Sequence, residues 1–295
     1  MTMNILSIAG TDPTGGAGIH ADIKTFSAMG GYAMAAITAV VAQNTRGVRS
    51  FVALNPSFVG DQIDAVFDDV RVDAVKIGMV ANARIVETIA QRLHAHRAGN
   101  IVLDPVMVAK SGDHLLEPDA VAAIRELLVP LATVTTPNLP EADVLLGTDA
   151  KWSLDAMRTS AVELRRLGSE WILLKGGHLH GSAQSVDLLH GPQTTIELSA
   201  PRIRTRRDHG TGCTLSAAIA ALLPTCSVED SARMAKAYLH GALAASEDLD
   251  VGHGHGHGPL HHFHQLWREL PRSLAELSGT GETTTTQSAE HGNSR

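Results

Sequence analysis

Short, almost continuously apolar segments recur along the chain, and stretches with helical periodicity lie between them. Strands of a parallel sheet that are buried on both faces have this pattern, because neither face meets water. The segments end at or near Gly, Asp, Pro or Asn, which favour turns. The predicted strands span residues 4–10, 72–80, 100–108, 131–138 and 170–177.

The segments between these strands place apolar residues three or four positions apart, as on one face of a helix. Asn55-Pro56 begins one such helix, because Asn accepts amide hydrogen bonds and Pro fits the first helical turn. Further helices are predicted at 83–97, 117–129, 153–167 and 229–246. This alternation predicts right-handed crossovers and one sheet with helices on both faces.

Two segments depart from the strand–helix alternation. Residues 31–54 are predicted to form two strands joined by a polar turn, and residues 185–200 a hairpin. Because no linker precedes residue 270, residues 1–270 are predicted to form one domain. Residues 271–295 form a polar tail that has almost nothing to bury and is expected to be disordered.

Composition excludes several classes of protein. The 295 residues are 44% hydrophobic, which is enough for a full core. A net charge of -7 and only 3% aromatic residues argue against nucleic-acid binding. The N-terminus has no basic region typical of a signal peptide, and the longest weakly polar stretch, residues 28–42, is too short to span a bilayer. Two cysteines make no disulfide framework, so a reduced cytoplasmic protein is expected.

The loops after the predicted strands are the candidates for ligand binding, because ligands bind beyond the carboxyl ends of strands in open α/β sheets. The segment "GTDPTGGAGIHAD" (10–22) is rich in glycine like a phosphate loop, although a plain strand–helix connection would look the same. Asp22 there could interact with a helix dipole or accept hydrogen bonds from a ligand amine. Gln43 and Asn44 could form a turn or contact the edge of a heterocycle.

Acidic and basic residues follow three other predicted strands. Asn138 and Glu141 have the spacing of a helix-capping box, or they could join Asp104 in holding magnesium beside a nucleotide phosphate. Lys175 closes an apolar strand, where burial of a lysine is costly unless it meets an anion. A nucleotide phosphate is a suitable anion.

The segment "DHGTGCTLSAAIAA" (208–221) combines a glycine turn with the start of a helix. The free amides of the first helical turn, with the positive end of the helix dipole, would form an anion hole suited to a transferring phosphoryl group. Such a position predicts a lowered pKa for Cys213, which could then accept a proton from an alcohol. Alternatively, Cys213 is a small residue that packs in a tight turn.

Nine segments follow one another in order from about residue 4 to about residue 268. They are "IAGTDPTGGAGIHADIKTFSAMG", "ITAVVAQNTRGV", "VKIGMV", "VLDPVMVAKSGDHLL", "TPNLPEA", "LLKGGHL", "SAPRI", "HGTGCTLSAAIAA" and "GHGPLHHF". Together they closely resemble the hydroxymethylpyrimidine/phosphomethylpyrimidine kinases of thiamine biosynthesis, in the ribokinase-like superfamily. The resemblance implies an α/β fold of three α/β/α layers, with a mostly parallel central sheet and small lid strands. It also implies ATP, Mg²⁺, a homodimer and two successive phosphorylations of 4-amino-5-hydroxymethyl-2-methylpyrimidine.

The resemblance also implies roles for individual residues. The pyrimidine pocket would contain Gly10, Asp22, Gln43, Met79 and Val106. The surroundings of ATP and magnesium would contain Asp104, Asn138, Glu141, Lys175 and His209, with Asp104 and Glu141 as metal ligands. The catalytic set would be Lys175, Gly210, Thr211, Gly212 and Cys213. Most of the superfamily has Asp as the base at this last position, and Cys is common in the vitamin-kinase branch.

Two alternatives to this function remain open. A pyridoxal kinase would also act on a hydroxymethyl heteroaromatic compound, and a non-catalytic sensor of vitamin precursors could share the fold. The sensor would not need a magnesium-triphosphate site. The run "GHGHGHG" (252–258) is either a metal-binding tract or a flexible turn.

Overall fold

The central sheet contains most of the strands in the residues that the structure describes. The computed structural model describes residues 1–107, 118–177, 179 and 183–268. The strands are β1 (Asn4–Ala9), β2 (Tyr32–Ile37), β3 (Ala39–Asn44), β4 (Gly47–Ala53), β5 (Ala74–Ile77), β6 (Ile101–Leu103), β7 (Val134–Thr135), β8 (Trp171–Leu174), β9 (Gln184–His190) and β10 (Thr195–Pro201). The helices are α1 (Gly18–Ala28), α2 (Pro56–Phe67), α3 (Ala83–Ala95), α4 (Pro118–Ala123), α5 (Leu139–Leu146), α6 (Leu154–Arg165), α7 (Thr211–Leu222) and α8 (Val228–Ala244).

The central sheet has eight strands in the order β10-β9-β8-β7-β6-β5-β1-β2. The six strands from β8 to β2 pair in parallel, and β9 and β10 are antiparallel. A separate antiparallel sheet consists of β3 and β4. The predicted mostly parallel sheet with small lid strands is therefore confirmed.

The segment 31–54 was expected to form two strands, but it forms β2, β3 and β4. The prediction was wrong because the break after β2 depends on contacts that are distant in sequence. The Thr38 N–H donates to the carbonyl of Ala9 at 2.9 Å, and the Thr38 hydroxyl donates to the carbonyl of Met79 at 2.6 Å. These bonds end β2 at the sheet, and the chain continues into the hairpin β3–β4.

Apolar residues form a separate core on each face of the sheet. One core packs α2, α3, α5 and α6 against the sheet and includes Ile63, Ile85 and Met157. The other packs α1, α7 and α8 and includes Phe26 and Ile219. These two cores make the three-layer arrangement. Within the described parts of the chain, no helix combines the length and apolar character that crossing a membrane requires.

The predicted helix at 117–129 is irregular. It begins as α4, widens into a π-helical turn over Ile124–Leu128 and ends in a 3-10 turn over Val129–Leu131. Pro130 lies in the last turn and cannot donate a backbone hydrogen bond, so a regular helix is not sustained there.

By its internal contacts the chain divides into a unit Met1–Phe263 and a second unit that begins at His264. In the second unit the described residues contain a 3-10 turn, Leu266–Arg268. The predicted domain boundary at residue 270 and the predicted tail 271–295 lie outside the described residues.

Candidate active site

One cavity of about 340 Å³ lies where the parallel strands of the sheet end. All the residues to which the family resemblance assigned a role line this cavity, except Asp22, and the other candidate Asn44 does not line it. They come from the ends of β1, β5, β6 and β8, the hairpin β3–β4, and the first turns of α5 and α7. The sheet topology therefore gathers residues that are far apart in the sequence.

A buried cluster of charges forms one end of the cavity. The Lys175 ammonium lies 2.8 Å from Asp104 Oδ1 and 3.8 Å from Glu141 Oε2. Burial alone would raise the pKa of Asp104, but the ammonium groups of Lys175 and Lys76 hold it below its usual value. Burial would lower the pKa of Lys175, but the two carboxylates hold it above its usual value. The anions that a buried lysine requires are thus supplied by the protein itself, as the carboxylates of Asp104 and Glu141.

Asn138 and Glu141 form the capping box that was one of the two interpretations of their spacing. Asn138 Oδ1 accepts from the Glu141 N–H at 2.9 Å, and Glu141 Oε2 accepts from the Asn138 N–H at 2.7 Å. Although Glu141 caps the helix, its side chain also lines the cavity and lies near Lys175. Burial raises the pKa of Glu141 above its usual value.

The donor set at this end fits magnesium. Asp104 and Glu141 provide two carboxylates on one cavity wall. Mg²⁺ is bound by one or two carboxylates together with waters and substrate phosphates. Across residues 1–107, 118–177, 179 and 183–268, no group of three or more His, Cys, Asp or Glu side chains forms a metal site.

The turn before α7 presents backbone to the cavity. Gly210 has φ +84°, and a Cβ on it would overlap the carbonyl oxygen of Gly16. No side chain caps the N-terminus of α7. At Gly212 a Cβ would lie 3.2 Å from Lys175 Nζ and 3.5 Å from Asp104 Oδ2. Glycine at 210 thus lets the turn approach the backbone of the glycine loop, and glycine at 212 lets the start of α7 approach the charged cluster.

The Cys213 thiol is half-buried and lines the cavity, but its pKa is not lowered. Burial raises the pKa of Cys213 to about 11, although the Lys76 ammonium opposes this shift. The expectation of a lowered pKa is wrong for the protein without ligands, because desolvation of the thiolate outweighs the helix N-terminus and the neighbouring cation. Cys213 and Cys226 are both free, so the chain has no bridge between them.

Asp22 does not line the cavity, and its carboxylate is fully buried. Both Asp22 oxygens accept from Lys76 Nζ at 2.9 Å, and Oδ2 also accepts from the Ser7 hydroxyl at 2.6 Å. Burial raises the pKa of Asp22, and Lys76 offsets only part of the increase. Asp22 therefore lies behind the site and holds Lys76.

Lys76 is a site residue that the sequence reasoning missed. Its side chain is completely buried in β5, yet it lines the cavity. Burial would lower the pKa of Lys76, but Asp22, Cys213 and Asp104 hold it above its usual value. The signal was present in "VDAVKIGMV", because a lysine in the middle of a buried strand needs an anion, as was argued for Lys175.

Asp12 is a second residue that was missed. Its carboxylate accepts from the backbone N–H groups of Thr14, Gly16 and Ala17, at 2.9, 3.2 and 2.8 Å. His209 Nε2 lies 2.8 Å from Asp12 Oδ2, so this carboxylate also joins the glycine loop to the turn before α7. Burial would raise the pKa of Asp12, but hydrogen bonds from His209 and Thr14 hold it far below its usual range. His209 lines the cavity while it is bound to Asp12.

The opposite end of the cavity is mainly apolar. Its wall contains Val41, Met79 and Val106. A Cβ on Gly10 would lie 3.1 Å from Met79 Sδ, so glycine keeps this end open. Gln43 follows an irregularity in the pairing of β3 with β4, and such bulges redirect a side chain. Apolar walls with one amide suit a flat heteroaromatic ring that has polar atoms at its edge.

A second cavity of about 460 Å³ adjoins the charged end. It shares Asn138, Lys175, Thr211 and Gly212 with the first cavity. Its remaining wall includes the apolar side chains of Ile203, Leu215, Leu239 and Leu243. Two cavities thus meet at the start of α7, which is the arrangement that a donor and an acceptor of a transferred group require.

Comparison with known proteins agrees with this geometry. The sequence profile of a family described as phosphomethylpyrimidine kinase matches residues 12–261. The hydroxymethylpyrimidine/phosphomethylpyrimidine kinase of Escherichia coli is 51% identical over 266 residues, which are 90% of this chain and 99% of that protein.

Solved structures are similar in fold as well. The phosphomethylpyrimidine kinase of Clostridium difficile superposes with a TM-score of 0.72 and 40% identity, over 81% of this chain and 98% of that chain. The pyridoxal kinase of Staphylococcus aureus in complex with AMP-PCP and pyridoxal superposes with a TM-score of 0.81 and 30% identity, over 89% of this chain and 94% of that chain.

Proposed function

The chain belongs to the phosphomethylpyrimidine kinase family. On this basis we propose which of its residues bind the substrates and which take part in the two phosphorylations. It is an ATP-dependent bifunctional kinase of thiamine biosynthesis. The first reaction converts 4-amino-5-hydroxymethyl-2-methylpyrimidine to its monophosphate, and the second converts the monophosphate to the diphosphate. The observation that carries the proposal is the cavity of about 340 Å³, whose lining combines a buried charged cluster with apolar side chains.

The apolar end binds the pyrimidine ring. Val41, Met79 and Val106 contact its faces, and the Gln43 amide donates to and accepts from its polar edge. Asp22 takes no direct part, because its two oxygens are bound to Lys76. This orientation directs the hydroxymethyl group of the substrate towards the start of α7.

The charged end binds the triphosphate of ATP, and the adjoining cavity takes the nucleoside. Lys175 and the backbone amides of Gly212 and Cys213 neutralise the charge on the transferring phosphoryl group. Asp104 and Glu141 would hold Mg²⁺, which neutralises phosphate charge when it is bound. Phosphoryl transfer depends mainly on position and charge, so these groups carry most of the rate enhancement.

Cys213 accepts the hydroxyl proton in the first reaction. The thiolate is the form that accepts it, and burial raises the pKa of Cys213 in the protein without ligands, so this role requires the neighbouring Lys76 ammonium to offset that shift once the substrates are bound. The second reaction uses a phosphate oxygen that is already anionic near neutral pH, so it needs no base. The two reactions therefore differ in their dependence on Cys213.

Product analysis with each pyrimidine in turn tests the function. The enzyme is incubated with ATP and Mg²⁺ and either the alcohol or the monophosphate, and the products are separated by ion-exchange chromatography. We expect the monophosphate from the first substrate and the diphosphate from the second. Consumption of neither pyrimidine would contradict the proposal.

Pyridoxal is the second candidate substrate, because a pyridoxal kinase that was solved with its substrate has the same fold at a TM-score of 0.81. Pyridoxal also carries a hydroxymethyl group on a flat heteroaromatic ring. A comparison of kcat/KM for pyridoxal and the pyrimidine alcohol separates the two functions. We expect the pyrimidine alcohol to be preferred, since 51% identity to a pyrimidine kinase exceeds 30% identity to the pyridoxal kinase.

A homodimer is the proposed assembly. Val40 and Val52 pair across the hairpin β3–β4 and are 52% and 68% exposed. Tyr32 on the edge strand β2 is 61% exposed. A second copy of the chain would cover these apolar side chains, since large exposed apolar patches mark association surfaces. Analytical ultracentrifugation should show a dimer, and Val52→Lys should produce a monomer.

The cytoplasm is the proposed location. Both cysteines are free, and a protein with unpaired thiols suits a reducing compartment that also supplies ATP. Fractionation of cells that express the chain, with activity assayed in each fraction, tests this assignment. Recovery of the activity in an oxidising compartment would contradict it.

A further inference from the structure

The glycine–histidine run packs against the tip of the hairpin β3–β4. The backbone N–H of His257 donates to the carbonyl oxygen of Thr45 at 2.7 Å. A Cβ on Gly256 would overlap the same carbonyl oxygen, so no side chain fits between the two backbones. We call residues 256–258 the strap.

The other side of the strap binds the turn that leads to α7. The Gly258 N–H donates to the carbonyl of Arg206 at 2.9 Å, and the His209 N–H donates to the carbonyl of Gly258 at 3.0 Å. The His257 imidazole Nδ1 also lies 2.6 Å from Asp208 Oδ1. The strap therefore connects the hairpin to the turn that precedes the anion hole.

Hydrogen bonds of Thr11 with Ala39 and Val41, both at 3.0 Å, hold the base of the hairpin. Its tip gains no support from another strand, because β3 and β4 pair only with each other among the described strands. Two-stranded hairpins are marginally stable alone. This hairpin supplies Val41, Gln43 and Val48 to the cavity wall. The position of these side chains consequently depends on what holds the hairpin.

The contacts belong to the backbone and to the His257 imidazole, which lies against Asp208, rather than to a set of histidine metal ligands. His253 and His255 are exposed, and the described part of the chain holds no cluster of three metal-ligating side chains. The metal-binding interpretation of the run thus gains no support from its geometry.

We propose that the strap positions the hairpin β3–β4 for pyrimidine binding, with Gly256 as the positioning residue. This inference rests on the proposed function of the cavity and adds a residue outside it. Through its contact with Thr45, the strap holds Gln43 at the ring before the substrate arrives, which lowers the entropy cost of ordering the hairpin on binding.

The test is a comparison of Gly256→Ala with two control variants outside the strap, Gly254→Ala and His255→Ala. Gly254 has φ +75° but open space around its Cβ position, so it reports backbone strain without a clash. For Gly256→Ala we expect KM for the pyrimidine alcohol to rise by about tenfold or more, because small displacements of positioning groups have large effects. KM for ATP should stay close to the values of the control variants.

Two further measurements keep the test decisive. His257→Ala removes the contact with Asp208 without a clash, so it should raise KM for the pyrimidine in the same direction but less, even if Gly256→Ala folds poorly. Hydrogen exchange of the amides in residues 39–53 should be faster in both strap variants than in both controls. This second readout requires no turnover.

Unchanged pyrimidine KM and unchanged exchange in both strap variants would overturn the inference while leaving the kinase function intact. A fall in kcat with no change in pyrimidine KM would also overturn it, because the strap would then act on the anion hole. If the wild-type enzyme phosphorylated no pyrimidine, the proposed function would fail, and the exchange arm would still decide whether the strap holds the hairpin.

Discussion

The two ends of the cavity are built in different ways. The charged end is fixed by the main sheet, because Asp104 and Lys175 directly follow β6 and β8 and lie 2.8 Å apart. The apolar end depends on a separate two-stranded hairpin that carries Val41 and Gln43. The chemistry common to many kinases thus sits on the rigid scaffold, and the recognition of the ring sits on a part that can vary.

Lys175→Ala should impair phosphoryl transfer at the charged end and leave pyrimidine binding at the apolar end intact. The substitution removes the cation between two buried carboxylates and one of the groups that neutralise the triphosphate. We expect kcat to fall by roughly a hundredfold to a thousandfold in both reactions, the size found when one stabilising group of this type is lost. Binding of the pyrimidine alcohol, measured by calorimetry, should change little. Retention of either reaction would contradict the role of Lys175.

Lys76→Met should destabilise the protein beneath the cavity, because it leaves the buried Asp22 carboxylate without its cation and with only the Ser7 hydroxyl as a partner. Removal of one member of a buried ion pair costs about 3–5 kcal/mol of unfolding free energy. The double variant Lys76→Met/Asp22→Asn should recover much of this stability in urea unfolding. Relative to the wild-type enzyme, the double variant should still lose more turnover in the first reaction than in the second, because the cation near Cys213 is absent. Full recovery of both reactions would show that Lys76 is structural only.

Cys213→Ala should separate the two reactions. Loss of a general base costs on the order of a hundredfold or more, so turnover of the alcohol should fall by this factor. Turnover of the monophosphate should fall much less, because its nucleophile is already an anion. The two kcat values are measured separately at saturating ATP. Equal losses in both reactions would assign Cys213 to packing or to phosphate positioning.

Gln43→Ala should affect the apolar end alone. It removes hydrogen bonds to the edge of the ring, and one such interaction is worth about 1 kcal/mol, or roughly fivefold to tenfold in KM for the pyrimidine. KM for ATP should stay unchanged, because Gln43 lies on the hairpin. A larger effect on ATP than on the pyrimidine would contradict the assignment of the two ends.

The charged end could be predicted from the sequence because it follows from local pattern and topology. Apolar strands that end in Asp104 and Lys175 identify the sheet, and parallel strands bring their carboxyl ends together. The same reasoning gave the turn at Gly210 and Gly212, whose backbones approach Gly16 and Lys175.

The pairing of Asp22 with Lys76 could not be predicted, because it depends on which face of α1 is turned towards the sheet. The pKa of Cys213 was mispredicted for a similar reason, since desolvation depends on neighbours that the sequence does not place. The third strand in residues 31–54 was missed because Thr38 binds the carbonyls of Ala9 and Met79, which come from other elements. The ion pair, the pKa of Cys213 and the third strand all depend on tertiary contacts.

The central claim is that the first turn of α7 and Lys175 hold the phosphoryl group during transfer. A crystal structure with ADP, Mg²⁺, the pyrimidine alcohol and aluminium fluoride, which mimics the transferring group, tests it most directly. We predict that the fluorides lie within hydrogen-bond distance of the Gly212 and Cys213 amides and of Lys175 Nζ, with the alcohol oxygen in line. A fluoride complex bound away from these amides, or amides occupied by protein groups in that complex, would contradict the account.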